Sequence, residues 1–499
     1  MKIFKAKPNL KILFVASEAA PFSKAGGLGE VMFALPKALA ALGYDARVMI
    51  PRYAGINQDK FFLKMLSEGL MVPTDAQENR QPRHLQCNIK QYENVYFLEN
   101  REYYEQRANI YGYADDTVRW ALLSRGVLEF LNQNREWMPD IIVSSDWQAA
   151  FLPNYLKTTY KDYARLSGIA TVFSIHNLYY QGMFDHKFVS EMDYDAGQAQ
   201  IPSFFDTRLL KLNMMRRGIM YADVINTVSP TYAKEIMTLD YGESLDGLLR
   251  ERRSVVYGIL NGIDYDTVNP KTDPHLPANY DVSSAKLRIQ NKLELQKCFG
   301  LQEDSKKFVV GIVSRLDEQK GFDLLFDSLE ALLHELDMQL VVVGSGDAKY
   351  MSFFGEIAKK FPERVAAHLS FDTVLPHLVF GGADAVLIPS KFEPSGLTQM
   401  EAMRYGAIPI ARRTGGLADT VEDYGPGDEA GTGFVFERFS SQALSIALVR
   451  AYETYRHPSL WNNFQRRAMS KDFSWEHSAK EYIKLFEKAI DIKKGNVLG

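Results

Sequence analysis

The densest concentration of chemically useful side chains is SKFEPSGLTQMEAMRYG, residues 390–406, which follows the apolar run DAVLIPS at 384–390. Pro394 and Gly396 specify a tight turn, and LTQMEAMRY supplies good helix formers. The amides of Ser395, Gly396, Leu397 and Thr398 are therefore expected to point out of a helix N-terminus, an end that attracts a diphosphate. Glu393 precedes the turn and Glu401 falls inside the helix, so each carboxylate can touch a different part of one ligand. The plainer alternative, a capping Glu393 and a surface Glu401, suits isolated glutamates better than this dense motif. Arg315 and Lys320 follow the strand-like run KFVVGIVS at 307–314. At the carboxyl end of a parallel strand, side chains reach the crevice where open α/β sheets bind ligands. A guanidinium fork and an ammonium point charge there would neutralise a departing diphosphate; a solvated loop is the alternative.

Weaker signals lie earlier in the chain. SKAGGLGEV offers Lys24 beside Gly26 and Gly27, a turn that lets backbone amides approach an anion closely. SIHNLYYQG places His176 at a strand end, followed by Asn177 and two aromatics; a structural histidine and a chain-turning asparagine are the alternative. VSSDWQAAFLP presents Asp146 beside Trp147, a pairing of polar group and ring that suits a sugar, although Trp147 fits a core equally well. VVVGSGDAKY lacks the third glycine and the spaced acid of a dinucleotide fingerprint, so Gly344 and Gly346 read as turn residues. The DYD runs at 193–195 and 264–266 lack a metal-site context, and no GxSxG, Walker A or HExxH motif is present.

Short runs rich in Val, Ile, Leu and Phe must position these residues, and they alternate with helix-length amphipathic stretches. Strands are expected at 11–17, 46–50, 94–99, 140–145, 170–176 and 223–229. A second series is expected at 254–260, 307–314, 338–344, 364–370, 384–390 and 407–412. Apolar on both faces, they suit parallel sheets covered by helices, in two doubly wound domains. AGGLGEV at 25–31 and TGGLADTV at 414–421 echo one another at the mouths of two helices, in keeping with a duplication. Residues 59–83 in part, and 425–431, read as surface loops. The tail from residue 474 carries a helical stripe of Trp475, Tyr482, Ile483, Leu485, Phe486, Ala489 and Ile490, able to cap its own domain or cross back to the first.

Composition narrows the classes further. The 499 residues hold 58 Lys and Arg against 62 Asp and Glu, a net charge of −4 that argues against nucleic-acid binding. With 46% hydrophobic and 24% charged residues the chain is globular and too long for one core. Two distant cysteines, Cys87 and Cys298, match neither a disulfide scaffold nor a zinc module and fit a reducing, cytoplasmic setting. The lysines at 2, 5, 7 and 11 precede an apolar stretch too short for a signal-peptide core, and nothing approaches the ~20 apolar residues of a membrane span. A soluble protein without membrane or nucleic-acid partners is expected.

Taken in order, SKAGGLGEV, YGYADDTVRWALLSRGVLE, SSDWQAA, SIHNLYYQG, VSPTYAKEI, ILNGID, VSRLDEQKG, SKFEPSGLTQMEAMRYG and RRTGGLADTV span nearly the whole chain. The set resembles the bacterial glycogen synthase and plant starch synthase family. That likeness implies an α/β GT-B fold, two Rossmann-like domains facing a deep interdomain cleft. The expected division is 1–258 on the acceptor side, 259–473 on the donor side, and a C-terminal helix over 474–499. It implies transfer of glucose from ADP-glucose or UDP-glucose to an α-1,4-glucan with retention of configuration, with no metal and no further cofactor. By the same resemblance Lys24 and its glycines contact the donor, while Arg315 and Lys320 are the chief cations on its phosphates. Glu393 is the essential carboxylate near the glucose, and His176 hydrogen-bonds the glucose 6-hydroxyl. Asp146, Tyr113 and Asn261 line the sugar or acceptor site, and Thr398 and Glu401 lie by the diphosphate and ribose. The first loop departs from the family's KTGGLADV at Ala25, Gly29 and Glu30, and Ser395 stands where many relatives have Cys, which leaves the donor nucleotide open. A related transferase with another donor or a small acceptor, and an inactive glucan-binding protein, are the competing readings. The oligomeric state is not readable from the sequence.

Overall fold

The computed structural model describes residues 10–57, 59–76, 81–182, 196–425, 427 and 430–495. The lysines at 2, 5 and 7, the DYD run at 193–195 and part of the 425–431 loop lie outside the described residues. The chain divides into two compact units. One holds the chain up to Val228, then Ala233–Ile259 and the part from Trp475 onward; the other holds Ser229–Tyr232 and Leu260–Ser474.

The first unit is built on β1 (Lys11–Val15), β2 (Asp45–Pro51), β3 (Lys64–Pro73), β4 (His84–Tyr92), β5 (Val95–Glu99), β6 (Ile141–Ser145), β7 (Ala170–Ile175), β8 (Val224–Thr227) and β9 (Val256–Gly258). They form one sheet in the order β3-β4-β5-β2-β1-β6-β7-β8-β9. All neighbours are parallel except β3–β4 and β4–β5. The run β5-β2-β1-β6-β7-β8 has the doubly wound order 3-2-1-4-5-6, whose switch point lies between β1 and β6. The described tips of these two strands lead directly to Glu18 and Asp146.

The second unit has β10 (Phe308–Val313), β11 (Met338–Val343), β12 (Val365–His368), β13 (Ala385–Ile388), β14 (Ile408–Arg412) and β15 (Phe434–Phe436). Their order, β12-β11-β10-β13-β14-β15, is the same doubly wound one and all pairs are parallel. Here the switch point falls between β10 and β13. Arg315 and Lys320 follow the first of these strands and Glu393 follows the second. The expected α/β architecture of two Rossmann-like domains is thus present. Its central strands are the expected ones because burial on both faces demands near-continuous apolar runs, such as Ile12–Val15 and Phe308–Ile312.

Differences from the expectation lie at the sheet edges, where β15 is not among the expected strands. Part of the 59–83 region is strand β3, paired with β4 in an irregular antiparallel hairpin at the sheet edge. Only one face of β4 is buried, through Leu85, Cys87 and Ile89, so it alternates in polarity and gives no continuous apolar run. Residues 254–260 do not open the second series: Val256–Gly258 pairs with β8 and ends the first sheet. Of the two placements open to the C-terminal helix, the second is found: Trp475–Lys493 belongs to the first unit, where Phe486 meets the β1 ring of Phe14 edge-on at 6.3 Å between centroids.

Candidate active site

The switch point of the second unit gathers the strongest sequence motif. Beyond β10 the chain makes a single 3-10 turn, Glu318–Lys320, and then bends at Gly321 with φ +71°. A side chain at Gly321 would place its Cβ 2.2 Å from the Pro389 carbonyl oxygen, so only glycine lets this loop close on the loop after β13. The closure is stitched by the Lys391 amide donating to the Gln319 carbonyl at 2.8 Å. It delivers Lys320 Nζ to 2.6 Å from Glu393 Oε2, and Ser390 Oγ donates to the same oxygen at 2.9 Å. Lys320 and Glu393 are largely shielded, with side chains 18% and 8% exposed, whereas Arg315 is 60% exposed and held by Asp317 at 2.7 Å.

The turn after Glu393 is fixed from two sides. Gln399 Nε2 donates to the carbonyls of Ser395 and Gly396 and to Thr420 Oγ1. The Gly415–Thr420 helix starts against the same turn: the Gly416 amide donates to the Glu393 carbonyl at 3.0 Å. Cβ atoms at Gly415 and Gly416 would each lie 1.9 Å from a carbonyl oxygen, of Glu393 and Ser395 respectively. The Thr398–Tyr405 helix begins here without a side-chain cap, and its Met400 and Glu401 amides bond back to Leu397. Among the described residues the amides of Gly396, Leu397 and Thr398 make no intramolecular hydrogen bond. Lys320, Ser390, Glu393, Leu397 and Thr398 line a small cavity of about 60 Å³. Among the described residues Ser395 Oγ and Asn261 Oδ1 are buried without hydrogen-bond partners. Glu401 sits, partly buried, in the first helical turn.

The switch point of the first unit is organised differently. Glu18, 2% exposed, accepts the amides of Ala25, Gly26 and Gly29, the last two at 3.2 Å. The glycine loop that the sequence offered to an external anion thus holds an internal carboxylate, with the Gly27–Ala41 helix following it. Burial raises the Glu18 carboxyl, and the three amides work against that rise. Lys24 extends from this loop, 51% exposed, and pairs with Glu30. Gly27 has open space where its Cβ would stand.

Asp146, at φ +55°, accepts the amides of His176 at 2.7 Å and Asn177 at 3.3 Å. Burial pushes its carboxyl up to about 7, reinforced by the Glu18 charge. Burial also holds His176 down to about 4, so the ring is neutral at physiological pH. Asn177 Oδ1 accepts the Tyr179 amide at 3.1 Å and so turns the chain. Tyr113 accepts the Asn109 amide and packs between the guanidinium groups of Arg107 and Arg119. Tyr111 instead bonds Ser17 at 2.8 Å and feels the charges of Glu18 and Asp146.

The structure therefore brings Lys320, Glu393, Leu397 and Thr398 together in one unit, and Asp146, His176 and Asn177 together in the other. Sequence reasoning missed Glu18, Ser390, Gln399 and Tyr111. Tyr111 acts on Ser17, an element distant in sequence, and Glu18 is a single carboxylate whose amide partners are set by the fold of the loop; Ser390 and Gln399 lay inside a motif already singled out but have side chains too common to signal by type. Among the described residues no group of three or more His, Cys, Asp or Glu side chains is placed to hold a metal ion, and no helix is long and apolar enough to cross a membrane. Cys87 and Cys298 are both free.

The sequence and the fold recur in known proteins. The glycogen synthase of Thermotoga maritima is 40% identical over 491 residues, covering 96% of this chain and 99% of that one. That of Clostridium acetobutylicum is 41% identical over 484 residues, with the same coverage. The chain belongs to the glycogen and starch synthase family. The starch synthase catalytic domain matches residues 11–251 and the glycosyl transferases group 1 family matches residues 296–468. Among solved structures, the catalytic domain of starch synthase IV from Arabidopsis thaliana, bound to ADP and acarbose, aligns with a TM-score of 0.83 at 33% identity. That alignment covers 97% of this chain and all of that domain. Sucrose-phosphate synthase from Thermosynechococcus elongatus, at 16% identity and a TM-score of 0.56, shares the fold alone. This member of the synthase family is a glucosyltransferase with the GT-B fold.

Proposed function

We propose that this glucosyltransferase extends an α-1,4-glucan at its non-reducing end, taking glucose from ADP-glucose, or less favourably UDP-glucose, with retention and without a metal ion, in the cytoplasm. The observation that carries the reading is the cluster of Lys320, Glu393 and Ser390 beside the unspent amides of Gly396, Leu397 and Thr398. Family membership supports the glucan acceptor, and the ADP bound to the 33% identical starch synthase IV domain favours the adenine donor.

The chemistry follows from charge. As the bond between glucose C1 and the phosphate oxygen breaks, the sugar gains oxocarbenium character and the phosphate gains negative charge. Lys320 and Arg315, with the amides at the start of the Thr398–Tyr405 helix, stabilise the departing diphosphate. Glu393 orients the Lys320 ammonium and supplies negative charge on the sugar side. The acceptor 4-hydroxyl attacks C1 from the face the phosphate leaves, and its proton passes to a leaving phosphate oxygen. Asp146, His176 and Asn177 hold sugar hydroxyls; Ser395, Asn261 and Glu401 serve the donor, and Lys24, Gly26 and Gly27 its diphosphate or glucose. Tyr113 belongs to the acceptor side.

The deciding assay incubates the purified protein with glycogen and either donor in EDTA, and measures released nucleoside diphosphate beside incorporated glucose. Matched release and incorporation, faster with ADP-glucose, is the expected result. Silence with both donors, or activity that returns only with Mg²⁺ or Mn²⁺, overturns the reading.

A further inference from the structure

A buried polar chain runs from the C-terminal helix to His176. Tyr482, on the Trp475–Lys493 helix, has its hydroxyl 3.0 Å from Asn226 Nδ2, a β8 residue fully shielded from solvent. The same Nδ2 lies 3.2 Å from Ser174 Oγ on β7, and Ser174 Oγ lies 3.2 Å from His176 Nε2. On the far side the His176 amide is anchored on Asp146, while Nδ1 has no partner among the described residues.

Counting protons along this chain fixes their direction. Asn226 spends its two N–H groups on Ser174 and Tyr482. Ser174 Oγ accepts the first of these, and among the described residues His176 Nε2 is the one other polar atom in hydrogen-bond reach of that oxygen. The Ser174 proton therefore points to His176 Nε2. Turning the Asn226 amide over would reverse the chain, but it would bury two N–H donors without acceptors, against one hydroxyl proton of Tyr482 and one carbonyl oxygen, Asn226 Oδ1, as it stands. Orphaned donors are the rarer and costlier of the two.

We infer that Tyr482, Asn226 and Ser174 are positioning residues that fix His176 as the tautomer protonated on Nδ1, so that Nδ1–H is the donor presented to a substrate hydroxyl. The inference rests on the proposed contact between His176 and the transferred sugar. Its physical content is selection: a neutral imidazole with Nε2 saturated offers the substrate a donor and no acceptor. The C-terminal helix thereby enters the site through one phenolic oxygen.

The test uses full-length protein labelled with ¹⁵N at histidine. The His176 resonances are identified by their loss in His176→Gln, and their two-bond proton couplings report the tautomer. The wild-type protein is expected to show Nδ1–H. Asn226→Asp offers acceptors to both hydroxyls, so Ser174 must then accept from Nε2–H; the tautomer inverts, kcat falls on the order of tenfold and donor KM stays within about twofold. Tyr482→Phe, which deletes one oxygen and adds no charge, is expected to give a mixture of tautomers and a smaller loss of kcat, and remains informative if the aspartate variant fails to fold. A wild-type Nε2–H signal, or unchanged tautomers in Tyr482→Phe, overturns the inference. A full rate in His176→Gln would instead overturn the contact with the sugar, and the tautomer spectrum distinguishes that failure from this one.

Discussion

The two echoing glycine loops, AGGLGEV and TGGLADTV, both begin a helix and both clasp a glutamate, yet by opposite ends. The first loop gives its amides to the carboxylate of Glu18. The second gives the Gly416 amide to the backbone carbonyl of Glu393 and leaves that carboxylate to Lys320 and Ser390. One carboxylate is consumed in holding its loop; the other is aimed. The electrostatics follow the same division. Asp146, beside Glu18, is bound by amides with, among the described residues, no lysine or arginine in hydrogen-bond contact, and its carboxyl rises to about 7. Glu393 has its ammonium at 2.6 Å. Similar sequence at two helix mouths thus produces a loop-shaping device in one unit and a charge-bearing pair in the other.

The largest expected effect breaks the aimed carboxylate. Glu393→Gln should lower kcat by about 10³-fold with donor KM within several-fold, since it removes charge that matters most in the transition state. Steady-state glucose incorporation decides it, and a near-wild-type rate would remove Glu393 from the chemistry. Next come the loops themselves. Gly416→Ala puts Cβ 1.9 Å from the Ser395 carbonyl and must displace the turn; a loss of kcat on the order of 10²-fold with a lower Tm is expected. In the first loop Gly29→Ala meets no carbonyl and comes no nearer than 3.3 Å to Lys24, its side chain at 3.3 Å and its Cα at 3.4 Å, so activity should hold within about twofold. Equal effects of the two alanines would erase the contrast.

Smaller effects test the consumed carboxylate and its neighbour. Glu18→Gln replaces charge-assisted bonds to three amides by weaker ones, and should raise donor KM by about tenfold while kcat changes less. A kcat effect with KM unchanged would reassign Glu18 to the chemical step. The smallest effect is thermal. The folded Asp146 carboxyl titrates near 7, above the ordinary 3.8, so its stabilising contribution is complete below that ordinary value and is lost as pH rises through about 7. Asp146→Asn keeps an oxygen for the two amides and cannot ionise. Its Tm should match wild type at pH 3.5, where the wild-type carboxyl is mostly protonated in both the folded and the unfolded state, and exceed it by a few degrees at pH 8.5; parallel Tm curves would show that Asp146 ionises normally in the fold.

The sequence determined the parallel sheets and the motif around Glu393 because doubly buried strands and a tight turn before a helix require particular residues locally. The lysine that meets Glu393 was also legible, since both follow strand ends and the doubly wound order places β10 beside β13. Edge strand β3 was not, because a half-exposed, bulged strand has no continuous apolar run. Glu18 gave no signal either, being one carboxylate among 62 Asp and Glu until folding surrounds it with amides. Which carboxylate is spent and which is aimed, and that Tyr482 reaches His176 through Asn226 and Ser174, only the tertiary structure decided. A hydrogen bond depends on where a donor points, and the partners here are brought together across as many as 256 residues of chain.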